Sequence, residues 1–172
     1  MFKPLPETAQ ATAPHAAVTR YFEDFVQGSV AEYGPRVVTS EDIIAFATEF
    51  DPQPFHIDEQ AAKATMFGGL AASGWHNCAL LMRIISDGFI LGSSFMGSPG
   101  VEEVRWLAPV RPGDGLRVRA TVLETRASGT RPDLGFVKFL FEMFNASDVC
   151  LMTLTARLMF ARRRASAEHN KS

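Results

Sequence analysis

Asp51 and His56 are the two side chains of this 172-residue chain whose types and spacing best suit them to act together. They sit in the stretch Asp51-Pro52-Gln53-Pro54-Phe55-His56, with two prolines inside the spacer. Proline fixes its own φ and steers the residue before it toward extended conformations, so Asp51 and Gln53 are pushed away from helix and the spacer becomes a stiff, non-helical hook. A carboxylate and an imidazole presented to one water form a general acid-base device that works near neutral pH, an imidazole having a reference pKa of about 6.5. The same residues also read as a plain turn: Asp-Pro and Gln-Pro end helices, which would leave His56 a partly buried loop residue.

The elements around the hook narrow the choice. Ser40 is placed to cap a helix whose first turn carries Glu41 and Asp42, with Ile43, Ile44, Phe46, Ala47 and Phe50 as its apolar side. That helix must stop at the hook. A short helix is expected from Asp58 to about Thr65, then the glycine-rich loop Phe67 to Gly74, which delivers the chain into a long helix over Trp75 to Leu91. Apolar residues occupy nearly every side of this helix, the pattern of one buried almost all round. Before it, Gly28 to Thr39 suits an edge strand bent at Gly34-Pro35. After it, Val101 to Val110 reads as a strand, and the alternations Leu116/Val118/Ala120/Val122, Val137/Phe139/Phe141/Met143 and Cys150/Met152/Leu154/Ala156/Leu158/Phe160 give three more with one dry face each. Short connections make the strands most simply antiparallel, and a sheet with one apolar face needs a cover, which the long helix supplies. The fold class is α+β.

Composition bounds the function. The length and the 47% hydrophobic content fit one core. A domain is expected over 20–164, with a flexible arm at 1–19 and a polar tail at 165–172. A net charge of -2 recruits neither nucleic acid nor an anionic membrane. The longest apolar run, Cys78 to Leu91, is interrupted by Arg83 and Asp87 and falls short of the roughly twenty residues a membrane span needs. Cys78 and Cys150 lack metal-type spacing and read as buried thiols in a reducing compartment, and no signal peptide is visible, so the cytoplasm is the expected location.

In this context the hook resembles a family motif. The MaoC-like dehydratases and R-specific enoyl-CoA hydratases carry Asp-x-Asn-Pro-aliphatic-His, an alanine or serine six residues on, then a loop ending in Gly before a long helix. The matching residues are Asp51, Pro52, Gln53, Pro54, Phe55, His56 and Ala62, followed by Gly74, and the likeness extends roughly from Tyr21 to Arg162. The chain departs from the pattern at Phe50, where Gly is usual, at Gln53, where Asn is usual, and at Gly74-Trp75-His76, where the helix usually opens His-Gly followed by Met or an aliphatic residue.

The resemblance implies a hot-dog fold, a curved antiparallel sheet wrapped around a long central helix, assembled as a dimer or larger homo-oligomer. It implies reversible hydration of a 2-enoyl thioester to a 3-hydroxyacyl thioester. Catalysis would fall to Asp51 and His56, and the enolate oxygen to the Gly74 amide at the start of the helix, where unpaired N–H groups and the positive dipole end converge. A glycine there would let a thioester approach the backbone closely. Gln53, Phe55 and Trp75 are candidate substrate contacts. No cofactor or metal is expected, coenzyme A or an acyl carrier entering only as part of the substrate.

Arg105, Arg111, Arg117, Arg119 and Arg131 are candidates for coenzyme A phosphates, or equally a solvated strand face. His76 is left outside the catalytic set as a structural histidine. The alternatives to a hydratase are a thioesterase on the same fold and a non-catalytic acyl-binding partner of a heteromeric dehydratase.

Overall fold

The computed structural model describes residues 17–163. The tail expected at 165–172, and the expected arm up to residue 16, lie outside the described residues. Thr19 N–H donates to the Gly92 carbonyl at 3.0 Å and Arg20 bridges to Ser93, so both residues are tied to the end of the long helix segment.

Five antiparallel strands form one sheet in the order β1-β3-β4-β5-β2: β1 (Val30–Val37), β2 (Phe95–Trp106), β3 (Gly115–Ala127), β4 (Leu134–Phe144) and β5 (Cys150–Ala161). The alternation in β3, β4 and β5 is obeyed, with Leu116, Val118, Val137, Phe141, Leu158 and Phe160 on the dry face. The register matches, Val118 facing Met143 and Phe141 facing Leu154. β2 differs from its expected span of 101–110. It starts at Phe95 and runs through the Gly97-Ser98-Pro99-Gly100 stretch, because three irregularities against β5 absorb the glycines and an edge strand tolerates a proline. It pairs with β5, not with the strand that follows it, so the connection after β2 crosses the sheet.

Four helices accompany the sheet: α1 (Ser40–Phe50), α2 (Pro54–Ile57), α3 (Glu59–Lys63) and α4 (Gly74–Ile85), the last continued by a π-turn at Ser86–Ile90. Thr39, not Ser40, caps α1, because the Thr39 and Asp42 side chains each accept from the other's backbone N–H. α4 is the long cover of the sheet, yet it is buried on one face only. Leu80, Leu81, Ile84 and Ile85 enter the core cluster with β3, β4 and β5, while Met82 and Trp75 are exposed. Its apolar sequence exceeds what one sheet can cover. Among the described residues no helix is long and apolar enough to cross a membrane. Cys78 and Cys150 are free and half-buried rather than fully buried.

Candidate active site

The hook keeps Asp51 and Gln53 out of helix, at φ/ψ of -152/67 and -78/138. It is not wholly non-helical, however. Pro54 opens the single turn α2, a position where its missing N–H is no loss. That turn swings His56 inward, and the ring is 5% exposed. Asp51 ends α1, its N–H still donating to the Ala47 carbonyl at 2.9 Å. The outcome is a carboxylate and an imidazole that face each other, with His56 Nε2 and Asp51 Oδ2 3.6 Å apart. That gap is long for a direct hydrogen bond and leaves both atoms able to touch one intervening oxygen.

The groups behind the pair fix the state of each. His56 Nδ1 lies 2.7 Å from the Ala71 carbonyl, which can only accept. The neutral ring therefore carries its proton on Nδ1 and turns the Nε2 lone pair toward Asp51. The Ser73 hydroxyl donates to Asp51 Oδ2 at 2.6 Å and the Gln53 amide donates to Oδ1 at 2.7 Å. Led by the Ser73 bond, then the Gln53 bond, and helped by the nearby imidazole, these hold the Asp51 carboxyl below its usual range against the opposing effect of burial. Asp51 is an anion and an acceptor at neutral pH. Gln53, whose role spacing left open, thus orients the carboxylate as well as lining the site.

Ser73 also caps α4, accepting from Trp75 N–H at 3.2 Å. It takes the second amide of the helix, and Gly74, the first helical residue, lines the cavity. Ser73→Ala is expected to raise the Asp51 pKa, read by carboxyl NMR titration, and to cost about 1 kcal/mol of stability, the usual loss of a serine cap. A titration unchanged from wild type would refute this account of Asp51.

Asp51, His56 and Gly74 open onto one cavity of about 530 Å³, walled on its apolar side by Phe55, Met66, Phe67, Leu107 and Ala108. Phe55 stacks near Phe67 and meets the His56 ring edge-on at 4.5 Å. Trp75 lies at the rim, largely exposed and edge-on to Trp106. Trp106 was not among the sequence candidates, although its indole N–H donates to the Gly74 carbonyl at 2.9 Å. It also revises the reason for glycine at 74: a Cβ there would fall 2.6 Å from the indole ring. The missing side chain makes room for Trp106.

The remaining candidates separate cleanly. Arg105, Arg117 and Arg119 are paired with Glu103, with Glu32 and Asp148, and with Glu32, respectively, as expected of a solvated strand face, and Arg131 pairs with Asp133 in the turn between β3 and β4. Arg111 lines the cavity but donates to the carbonyls of Phe67, Gly69 and Leu70, tying down the glycine-rich loop. His76 is buried away from the cavity, stacked on Phe46 at 4.5 Å, and burial pushes its pKa down.

Comparison with known proteins places the chain in a family. The chain is 31% identical over 128 residues to the uncharacterized protein YdeM of Bacillus subtilis, covering 74% of this chain and 89% of that one. It is 30% identical over 129 residues to an (R)-specific enoyl-CoA hydratase of Rhodospirillum rubrum, covering 71% and 79%. The crystal structure of a MaoC-like dehydratase from Rhodospirillum rubrum superposes with a TM-score of 0.77 at 38% identity, over 86% of this chain and 100% of the other. The family model described as MaoC like domain matches residues 22–134. With the hot-dog arrangement of sheet and helix, these matches establish that the chain belongs to the MaoC-like domain family.

Proposed function

We propose that this protein adds water reversibly across the double bond of a 2-enoyl thioester, giving the 3-hydroxyacyl thioester. The observation that carries the reading is the facing pair His56 Nε2 and Asp51 Oδ2, both acceptors, 3.6 Å apart on a cavity that Gly74 also lines.

Two acceptors suit the two hydrogens of one water. His56 Nε2 takes one proton as the water oxygen bonds to C3, and the π electrons of C2=C3 move onto the thioester as an enolate. The Gly74 N–H, backed by the helix dipole, meets the enolate oxygen. The imidazolium then returns its proton to C2, so the H and the OH of a single water are both delivered. Asp51 accepts from the remaining O–H, orients the oxygen and offsets the transient charge on His56. Dehydration runs the same steps backward.

Coenzyme A or an acyl carrier enters as part of the substrate. The exposed apolar side of α4 and the exposed Trp106 and Leu107 favour a pairing of two copies, the homodimer we infer for this chain.

The decisive assay follows purified protein with crotonyl-CoA and with longer, branched and dicarboxylic enoyl-CoAs, reading both the conjugated-thioester absorbance and free thiol. The expected result is loss of absorbance without thiol. Thiol release would replace this reading with a thioesterase, and silence across the panel would replace it with an acyl-binding partner subunit.

A further inference from the structure

Asn77 is the polar side chain of this site that the proposed mechanism leaves unused. It is 2% exposed, it lies on the cavity wall, and its Oδ1 is enclosed without a hydrogen-bond partner among the described residues. A carboxamide kept for packing is hydrogen-bonded by the protein around it, since a buried amide without partners is unfavourable. Here no described residue bonds either end of the carboxamide, and since Oδ1 is the enclosed end, Nδ2 is the end that a molecule in the cavity can reach.

Its place on the helix says which part of the ligand. Asn77 lies four residues after Ser73, and its N–H donates to the Ser73 carbonyl at 3.0 Å. Side chains four apart on a helix are neighbours, and each leans toward the N-terminal end. The neighbour in this direction is the Ser73 hydroxyl, which is bound to Asp51 Oδ2, the atom that faces His56 Nε2. Asn77 therefore lies on the side of α4 that carries Ser73 toward Asp51, and it lines the same cavity as Asp51 and His56.

Of the species in the reaction, an unsubstituted enoyl chain neither donates nor accepts there, whereas the water does both. Building on the hydratase reading, we propose that Asn77 is a third contact for the reacting water. Its Nδ2–H donates to the oxygen lone pair that is not used in attack. The two hydrogens go to His56 Nε2 and Asp51 Oδ2, and the last lone pair is left pointing at C3. All four directions of the water are then specified. In the dehydration direction the same N–H holds the departing hydroxyl oxygen. No proton moves through Asn77, which acts as a positioning residue.

The test is steady-state kinetics on crotonyl-CoA for wild type, Asn77→Leu, which keeps the volume and removes the polar atoms, and Asn77→Thr, which retains a hydroxyl. The expected result is a kcat lowered roughly 10- to 100-fold in the leucine variant, the ratio that a hydrogen bond to a charged group carries, with KM within about twofold of wild type. The threonine variant should recover part of the loss, and the melting temperature of both should stay near wild type. An unchanged kcat in Asn77→Leu, while Asp51→Asn is inactive, overturns the Asn77 assignment and leaves the hydratase reading standing. A rise in KM at constant kcat overturns it in favour of an acyl-chain contact. Loss of kcat only in step with loss of folding in both variants overturns it in favour of a structural role. A wild-type protein without hydratase activity on any enoyl thioester overturns both readings together.

Discussion

Asp51→Asn and His56→Ala are each expected to lower kcat/KM for hydration by ~10²–10⁴, the usual cost of removing a general acid or base. The double variant should lose far less than the product of the two, because both groups act on one water. The asparagine variant should still fold. Its partners, the Ser73 hydroxyl and the Gln53 amide, are rotatable groups that can turn to meet a carboxamide in place of a carboxylate. What it loses is the stability that accompanies a depressed carboxyl pKa. A group whose folded pKa lies below its unfolded value, about 3.9 for aspartate, stabilises the fold above that value and ceases to do so as pH falls through the folded pKa. The melting temperature of Asp51→Asn should accordingly lie below wild type at pH 7 and approach it below about pH 4. An Asp51→Asn protein with wild-type hydration would remove the carboxylate from the mechanism, and a difference in melting temperature that persists undiminished in acid would remove the pKa argument.

The second large effect belongs to Gly74→Ala. An added methyl would lie 2.6 Å from Trp106 Cε2 and 2.9 Å from Cζ2 and Nε1, closer than side-chain carbons come, so the indole must move. Moving it breaks the 2.9 Å bond from the indole N–H to the Gly74 carbonyl and the edge-on contact with Trp75. These contacts surround the N–H assigned to the enolate oxygen. We expect hydration to fall by ~10²–10³, comparable to the loss of one oxyanion donor, together with a change in tryptophan fluorescence. Helix stability offers no competing explanation, since alanine favours helix over glycine. Adding Trp106→Ala to Gly74→Ala restores the space. Partial recovery of activity in that double variant would trace the loss to the indole, whereas full activity in Gly74→Ala alone would exclude the amide from the reaction.

Much of this site was legible in the residues themselves. Asp51 and His56 were picked out by type and spacing and Gly74 through the family resemblance, and all three line the same cavity. Local conformation was legible where a single residue dictates it, as at Pro52 and Pro54, which hold Asp51 and Gln53 out of helix. The error at Pro54 to Ile57 arose because proline forbids helix before itself but is well suited to begin one. The start of β2 differs because the strand was expected only from Val101, and pairing with β5 draws Gly97 and Gly100 into a bulged edge strand.

The groups that sequence reading missed are those that reach the site from a distance along the chain. Nothing in the local residue pattern joins Ser73 to Asp51, a bond that spans 22 residues. The Ala71 carbonyl that sets the His56 tautomer lies 15 residues away, and Trp106 lies 32 residues from Gly74. Asn77 stands out only as an enclosed amide without a partner for its oxygen, a property that no pattern of residue types encodes.

By itself the sequence determined the strand alternation, the helix that covers the sheet and the hook that brings Asp51 and His56 together, because each follows from the backbone period or from residues within a few positions of one another. Tertiary structure alone decided the order of the strands, the tautomer of His56, the ionisation of Asp51 and the reason for glycine at 74. Each of these depends on a partner brought close by the sheet and helix packing around the core, and that closeness exists only once the chain has folded.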